Sequence, residues 1–276
     1  MTRFFKVSGA GNDFIALAEP ETRPTAERVR AWCTRGLSAG ADGLFVLERI
    51  ADGVRMRYAN ADGRPAALCL NGTRCAAQLA VHLGWTGREL IVKTDAGAVP
   101  ALALDRTTVA VDLGPPEHSP EELSVEVDGR PISGWRVTVG VPHFVVFVGS
   151  DLDGPRFRTE SPSLRSHARF GEAGANVDYA IVENPHRVRL RTWERGVEGE
   201  TLACGTGALA TVAAGVAAGG LALPVVVDTA GGFELEVGPP REIPRHWSLA
   251  GDARVLLEGR LMPEAECFPR PSTAAD

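Results

Sequence analysis

Cys69-Leu70-Asn71-Gly72-Thr73-Arg74-Cys75 is answered far downstream by Cys204-Gly205-Thr206-Gly207, and the fold is read outward from this pair. Both begin C-x-[NT]-G and run into alanine-rich segments, 75–83 and 208–218, that read as helices. Each cysteine thus stands at a helix N-terminus. There, unpaired backbone N–H groups and the positive end of the helix dipole bind anions and lower a thiol's pKa toward the working pH. A thiol so placed is a usable base.

Cys204 follows Cys69 by 135 residues, and the same spacing relates Val92, Thr94 and Gly97 to Val227, Thr229 and Gly232. Two halves of one architecture repeat. A looser echo, at a slightly different offset, joins Gly11-Asn12-Asp13-Phe14 to Ala175-Asn176-Val177-Asp178-Tyr179. Gly114-Pro115-Pro116 reads as the hinge, giving domains at 1–114 and 115–262 and a loose, aperiodic tail at 263–276 that carries Cys267.

Composition narrows the function classes. At 276 residues and 44 % hydrophobic, the chain has enough apolar material for two cores of ordinary size. The longest apolar run, 209–227, is interrupted by Gly215, Gly219, Gly220 and Pro224, which argues against a membrane span. Met1-Thr2-Arg3-Phe4-Phe5-Lys6 does not lead into a signal-peptide core, so a cytoplasmic protein is expected. A net charge of −6 without a basic cluster argues against a nucleic-acid partner. Five cysteines, an odd number, read as thiols and not as a disulfide framework. Lys6 and Lys93 are the only lysines, and neither has the context of a Schiff-base lysine, which argues against pyridoxal phosphate.

Along the chain, strands are read at 4–7, 14–17, 44–47, 54–58, 90–93, 99–104 and 109–113. Further strands follow at 123–127, 135–139, 144–148, 179–182, 188–193, 225–228, 233–237 and 253–257. Helices are read at 25–35, capped by Thr25, and at 162–168. On residue chemistry alone, Asn12 and Asp13 close a turn, Asn60 opens one, His143 is a satisfied structural histidine, and Glu194 with Arg195 forms a surface ion pair.

The cysteines suggest a reaction. With the halves facing each other across a pseudo-twofold axis, Cys69 and Cys204 would meet a single carbon from opposite sides. One thiolate would remove a proton and the opposing thiol would return one, inverting the stereocentre. The N–H groups of Leu70, Asn71, Gly205 and Thr206 would hold the substrate α-carboxylate. This scheme needs no cofactor and no metal.

The ordered set GAGNDF (9–14), ADG (41–43), NADG (60–63), C-x-NGTRC (69–75), PH (142–143), AN-x-D (175–178), ERG...GET (194–201) and ACGTG (203–207) resembles the diaminopimelate epimerase family over nearly the whole chain. The resemblance implies an α/β fold of two pseudo-symmetric domains, each a mostly antiparallel sheet wrapped around a central helix, with the active site in the cleft between them. It implies cofactor-independent interconversion of LL- and meso-diaminopimelate, for lysine and cell-wall synthesis, by a homodimer. By motif position, Cys69 and Cys204 are the acid–base pair, and His143 and Glu194 assist proton movement. Asn12, Asn60, Asn71, Asn176, Glu194 and Arg195 contact substrate, with backbone groups at Leu70, Asn71, Gly205 and Thr206.

Three departures bear on substrate. Leu70 replaces the family's glycine, Val141 replaces the asparagine of N-P-H, and Glu198 is an extra residue in ERGVEGET. That asparagine is associated with the distal end of diaminopimelate, which leaves open a racemase of another amino acid, of histidine or O-ureidoserine type. A phenazine-pathway isomerase of the same architecture lacks the paired cysteines. A thiol redox switch between Cys69 and Cys204 is the non-catalytic alternative.

Overall fold

A computed structural model of the chain describes residues 2–239, 241, 243 and 246–266. By its internal contacts the chain forms two units, one made of Met1–Val99 with Ala253–Asp276 and the other of Pro100–Asp252. The division therefore falls elsewhere than at Gly114-Pro115-Pro116. The strand before that cluster, Thr108–Leu113, is hydrogen-bonded to Trp247–Asp252 and stays with the second unit. Glycine and proline mark a turn there without marking a boundary.

In the first unit, β1 (Thr2–Gly9) and β2 (Asn12–Ala18) form a hairpin with Gly9 opposite Asn12. The turn residues Ala10 and Gly11 have φ of 51° and 87°, the pair of positive values that a two-residue hairpin turn requires. β3 (Gly43–Ile50) runs parallel to β2, and β4 (Gly53–Asn60) returns antiparallel to β3. The short β5 (Pro65–Ala66) folds back on the end of β4, while β6 (Glu89–Thr94) lies parallel to its beginning. The last strand of the chain, β18 (Arg254–Leu261), closes the other side against β1.

This sheet wraps around α2 (Leu70–His82), which packs on β1, β2, β4, β6 and β18. Every residue from 70 to 80 is buried, so the helix has no solvent face until its last two residues, and Ala76, Ala77 and Ala80 let the strands approach closely. α1 (Ala26–Cys33) is capped by the Thr25 hydroxyl and packs Val29, Trp32 and Cys33 with Phe4, Ile15, Leu17 and Val46. It ends two residues before the sequence reading. The beginning of the expected loose tail is anchored: Pro263–Glu266 form a 3₁₀ turn, Ala265 joins the α1 cluster, and Glu266 pairs with Arg28 at 3.1 Å. Cys267 lies outside the described residues.

The second unit repeats this plan. β7 (Gly97–Ala103), along which the division falls, pairs with β8 (Thr108–Leu113). β9 (Glu121–Val127), β10 (Arg130–Val139) and β11 (Val141–Phe147) are successive antiparallel neighbours. α3 (Pro155–Arg165) begins earlier than the helix read at 162–168, because Pro155 takes the first helical turn and Pro162 lies inside. β12 (Asn176–Asn184) is parallel to β11, and β13 (Arg187–Glu194) antiparallel to β12. β14 (Gly199–Thr201) folds back on β13, and α4 (Gly205–Ala217) is the central helix. β15 (Val225–Thr229), parallel to β13, leads to β16 (Glu234–Gly238) and to β17 (Trp247–Asp252), a strand absent from the sequence reading.

The string β18, β1 to β5, α2, β6 thus corresponds to β9 to β14, α4, β15, with parallel steps at the same two places. Thr94 and Thr229, from the repeat at 135, both use Oγ1 to close the turn after their strands. The hairpin registers extend the match. Tyr58 faces Ala66 and Thr192 faces Thr201, each three residues before its cysteine, so Tyr58 corresponds to Thr192 and Asn60 to Glu194. Gly43 faces Asn60 and Phe14, and Asn176 holds the equivalent place beside His143, so Phe14 corresponds to His143. Asn12 therefore corresponds to Val141, each preceded by a glycine of positive φ, Gly11 and Gly140. This replaces the echo between Asn12 and Asn176 read from sequence. Those two asparagines begin strands of different rank, β2 and β12.

Candidate active site

Both cysteines cap their helices. Cys69 (φ −140°, ψ 105°) and Cys204 (φ −119°, ψ 113°) are extended, and each sulfur accepts the N–H of the residue three positions on, Gly72 or Gly207, at 3.4 Å. The helices begin at Leu70 and Gly205, several residues before the alanine-rich runs. Leu70 is the first residue of α2, where a side chain is tolerated without the positive φ that would call for glycine. Its side chain is buried, leaving only backbone for a ligand.

Around Cys69 the predicted residues are joined by a directional hydrogen-bond chain. Arg35 donates to Asp42 Oδ1 at 2.8 Å, Asn12 Nδ2 to Asp42 Oδ2 at 3.1 Å, Asn71 Nδ2 to Asn12 Oδ1 at 2.6 Å, and Arg74 to Asn71 Oδ1 at 2.6 Å. Asn12 is thus more than a turn residue, since its amide is oriented by a carboxylate on one side and an amide on the other. Asn60, at the end of β4, accepts the Tyr58 hydroxyl on Oδ1 at 3.0 Å. Asp13 is paired with Lys6 at 2.6 Å and with Arg35. Burial pushes the Asp13 carboxyl up, but the hydrogen bonds and charges of Arg35 and Lys6 outweigh it and hold Asp13 below the usual carboxylate range.

Around Cys204 the geometry is tighter. His143 and Asp178 are fully buried and share a 2.6 Å bond between Nδ1 and Oδ2, while Thr192 donates to Asp178 Oδ1 at 2.7 Å. Asn176 Oδ1 accepts the N–H of Arg195 at 2.8 Å, which turns its Nδ2 toward His143 Nε2 at 3.4 Å. With Nε2 accepting, the ring proton sits on Nδ1 and is donated to Asp178. Glu194 accepts the Thr201 hydroxyl across the β13–β14 hairpin at 2.6 Å and is hydrogen-bonded to Cys204. Thr206 Oγ1 lies 3.4 Å from the Cys204 sulfur. The Glu194–Arg195 surface pair expected from residue chemistry does not form, because Glu194 turns to Thr201 and Cys204.

The thiol expectation needs correction at Cys204. Burial pushes its pKa well above the ordinary thiol value, and the negative charges of Glu194 and Asp178 add to the effect. The hydrogen bonds from Thr206 and Gly207 oppose it without prevailing. The cap favours thiolate, but a desolvated sulfur beside two carboxyl groups stays protonated. Glu194 is itself pushed up by burial and by the charge of Asp178, against the hydrogen bonds from Thr201 and Cys204.

The predicted residues therefore gather as two sets. Asn12, Asn60, Leu70 and Asn71 accompany Cys69, and His143, Asn176, Glu194, Arg195, Gly205 and Thr206 accompany Cys204. Sequence reasoning missed Tyr58, Asp42, Asp178, Thr192 and Thr201. Asp42, Asp178 and Thr201 lie inside quoted motifs, whereas Tyr58 and Thr192 are hydroxyls whose roles depend on strand pairing.

A sequence profile described as Diaminopimelate epimerase matches residues 4–119 and 136–242. The chain belongs to the diaminopimelate epimerase family. A diaminopimelate epimerase of Archaeoglobus fulgidus is 41 % identical over 83 % of this chain and 87 % of its own length. One from Pseudomonas aeruginosa is 35 % identical over 95 % of this chain and 99 % of its own. Among solved structures, a probable proline racemase from Agrobacterium radiobacter K84 superposes with a TM-score of 0.73 at 15 % identity, covering 98 % of this chain and 97 % of that one. A phenazine biosynthesis protein of the PhzF family from Bacillus anthracis gives 0.69 at 15 % identity, covering 94 % and 98 %. These two likenesses are of fold. Among the described residues, no helix of this family member is long and apolar enough to cross a membrane.

Proposed function

We propose that the protein interconverts LL- and meso-2,6-diaminopimelate by two-base proton transfer between Cys69 and Cys204, without a cofactor. The observation that carries this reading is the duplicated cap: one cysteine at the same place in each unit, at the start of a buried helix whose first N–H groups suit a carboxylate. The α C–H proton passes to one sulfur as thiolate. The electron pair left on carbon spreads into the α-carboxylate, and the opposing S–H delivers its proton to the other face. Because Cys204 holds its proton, it is the natural donor at rest, and Cys69 is the acceptor.

Glu194, hydrogen-bonded to Cys204, is the group through which that proton is exchanged. His143 works one step back, accepting from Asn176 Nδ2 and so orienting that amide. Arg195, whose guanidinium forms no ion pair among the described residues, takes the second carboxylate of the substrate by a bidentate pair. The reading includes a cytoplasmic homodimer that supplies lysine and cell-wall precursors. Incubation with LL-diaminopimelate in deuterated water tests it. The meso form should accumulate with one deuterium at the inverted carbon, and C69S or C204S should abolish the conversion.

One observation favours a second reading. Val141 stands at the counterpart of Asn12, so an amide present in one unit has an apolar partner in the other. A pocket without that amide rejects a polar substrate end less selectively. Efficient racemisation of another amino acid, with diaminopimelate untouched, selects this reading over the first.

A further inference from the structure

Tyr58 is unassigned by any motif, yet its hydroxyl stands between two groups of the Cys69 set. It donates to Asn60 Oδ1 at 3.0 Å, and after burial and nearby charges a hydrogen bond with Cys69 is among the causes that raise its pKa. Its ring is fixed: it meets Phe14 edge-on at 5.9 Å, and it covers Gly43 so closely that a Cβ there would lie 2.7 Å from the hydroxyl oxygen. Only 9 % of Tyr58 is exposed, so the hydroxyl must find its partners within the protein. A phenol has one proton to donate and here faces two acceptors.

We propose that the Tyr58 hydroxyl is a positioning group that couples the protonation state of Cys69 to the hold on the Asn60 amide. While Cys69 is a thiol, its S–H is donated to the phenol oxygen and the phenol proton goes to Asn60 Oδ1. When Cys69 gives its proton away, the O–H turns about its C–O bond and donates to the sulfur anion. Asn60 Oδ1 then loses that donor. No covalent bond other than S–H changes, and the phenol keeps its proton throughout. Burial, reinforced by the charges of Cys69, Asp42 and Cys33, holds Tyr58 far above the ordinary phenol value, so it cannot become a competing base. The proposal rests on Cys69 and Asn60 serving the reaction described above and adds a link between them.

The pH dependence of Cys69 alkylation by iodoacetamide tests this in a C204S background, with the Cys69 peptide quantified by mass spectrometry. Removing the donor in Y58F should raise the midpoint by about one pH unit, the worth of a hydrogen bond to a charged group. Removing the competing acceptor in N60A frees the hydroxyl for sulfur and should lower the midpoint by about half a unit. Asp42 and Cys33 are unchanged in both variants, so their fields cancel in the comparison. A midpoint unmoved in Y58F, or one unmoved or raised in N60A, overturns the coupling. Neither result depends on turnover, so the coupling can fail while the epimerase reading stands, and the reverse.

Discussion

Glu194 stands in the second unit where Asn60 stands in the first. The two occupy the same step of the same hairpin, yet one is a carboxyl bonded to its cysteine and the other an amide reached through a tyrosine. A duplicated scaffold thus gives its two thiols different chemical neighbours, and the first prediction follows from that difference. In E194Q, removal of a negative charge beside Cys204 makes thiolate less costly, so the alkylation midpoint of Cys204 moves down. If Glu194 exchanges the Cys204 proton as proposed, turnover should fall by about 10²-fold. Iodoacetamide labelling against pH in a C69S background and the deuterium assay read the two effects separately. The raised thiol pKa also has a stability consequence: the folded state binds this proton more tightly than the unfolded chain, so the contribution is full below the ordinary thiol value and is lost as pH rises through the folded one.

Val141 to Asn restores the amide that the duplication places at this point. If Asn12 and its counterpart both serve substrate, V141N lowers KM for diaminopimelate by about tenfold, the worth of one good hydrogen bond, with little change in kcat. Steady-state kinetics in the epimerase assay decide it. A fall in kcat with KM unchanged contradicts the prediction.

Gly207 lies over the Asp178 carboxylate. A Cβ at this position would fall 2.6 Å from Asp178 Oδ1 and 3.0 Å from Thr192 Oγ1, and neither is the end of a flexible chain. G207A should cost about 1–3 kcal/mol by overpacking and disturb the His143–Asp178 bond. Urea unfolding gives the first effect, and the nitrogen shifts of His143 give the second.

Arg165 ties two loops together. Its guanidinium donates to Ala173 O at 3.2 Å and to Glu198 Oε1 at 2.7 Å, and its own carbonyl accepts the Ala175 N–H at 3.0 Å. Glu198, the extra residue, also accepts the Gly196 N–H at 2.9 Å and adopts φ 57°. It is therefore a strut for the loop carrying Arg195. R165Q and E198Q should each raise KM about threefold to tenfold, and the double variant should do no worse than either alone, because they break one interaction.

Asp13 provides a test against pH. Its folded pKa is depressed, so its stabilising pairs with Lys6 and Arg35 are fully present above the ordinary aspartate value and are lost as pH falls through the folded one. The stability gap between wild type and D13N should be constant near neutrality and shrink in acid. Urea denaturation at several pH values measures it. A gap that widens on acidification contradicts the assignment.

Much of this was legible in the sequence. The caps were, because a cysteine before Asn-Gly or Thr-Gly and an alanine run leaves few other conformations. So was the duplication, because β6 and β15 kept their spacing to the cysteines. The match of Asn12 was not. Extra residues between β11 and β12, at the bulge in the β12–β13 hairpin and at Glu198 broke the constant offset, and only strand register restored it. Nor was the protonation of Cys204, since helix position is local while the burial and the carboxyl groups that oppose it come from β12 and β13. The division of the chain escaped because β18 returns to β1, a pairing that no local signal announces.

That return has a consequence for synthesis. Thr2 pairs with Leu261 and Ser8 with Arg254, so the strand that closes β1 is synthesised long after it. The unit in mid-chain has all its strands earlier and is free to fold as it emerges. The apolar edge of β1 meanwhile stays open, the kind of long-range closure that slows folding and invites aggregation when translation stalls.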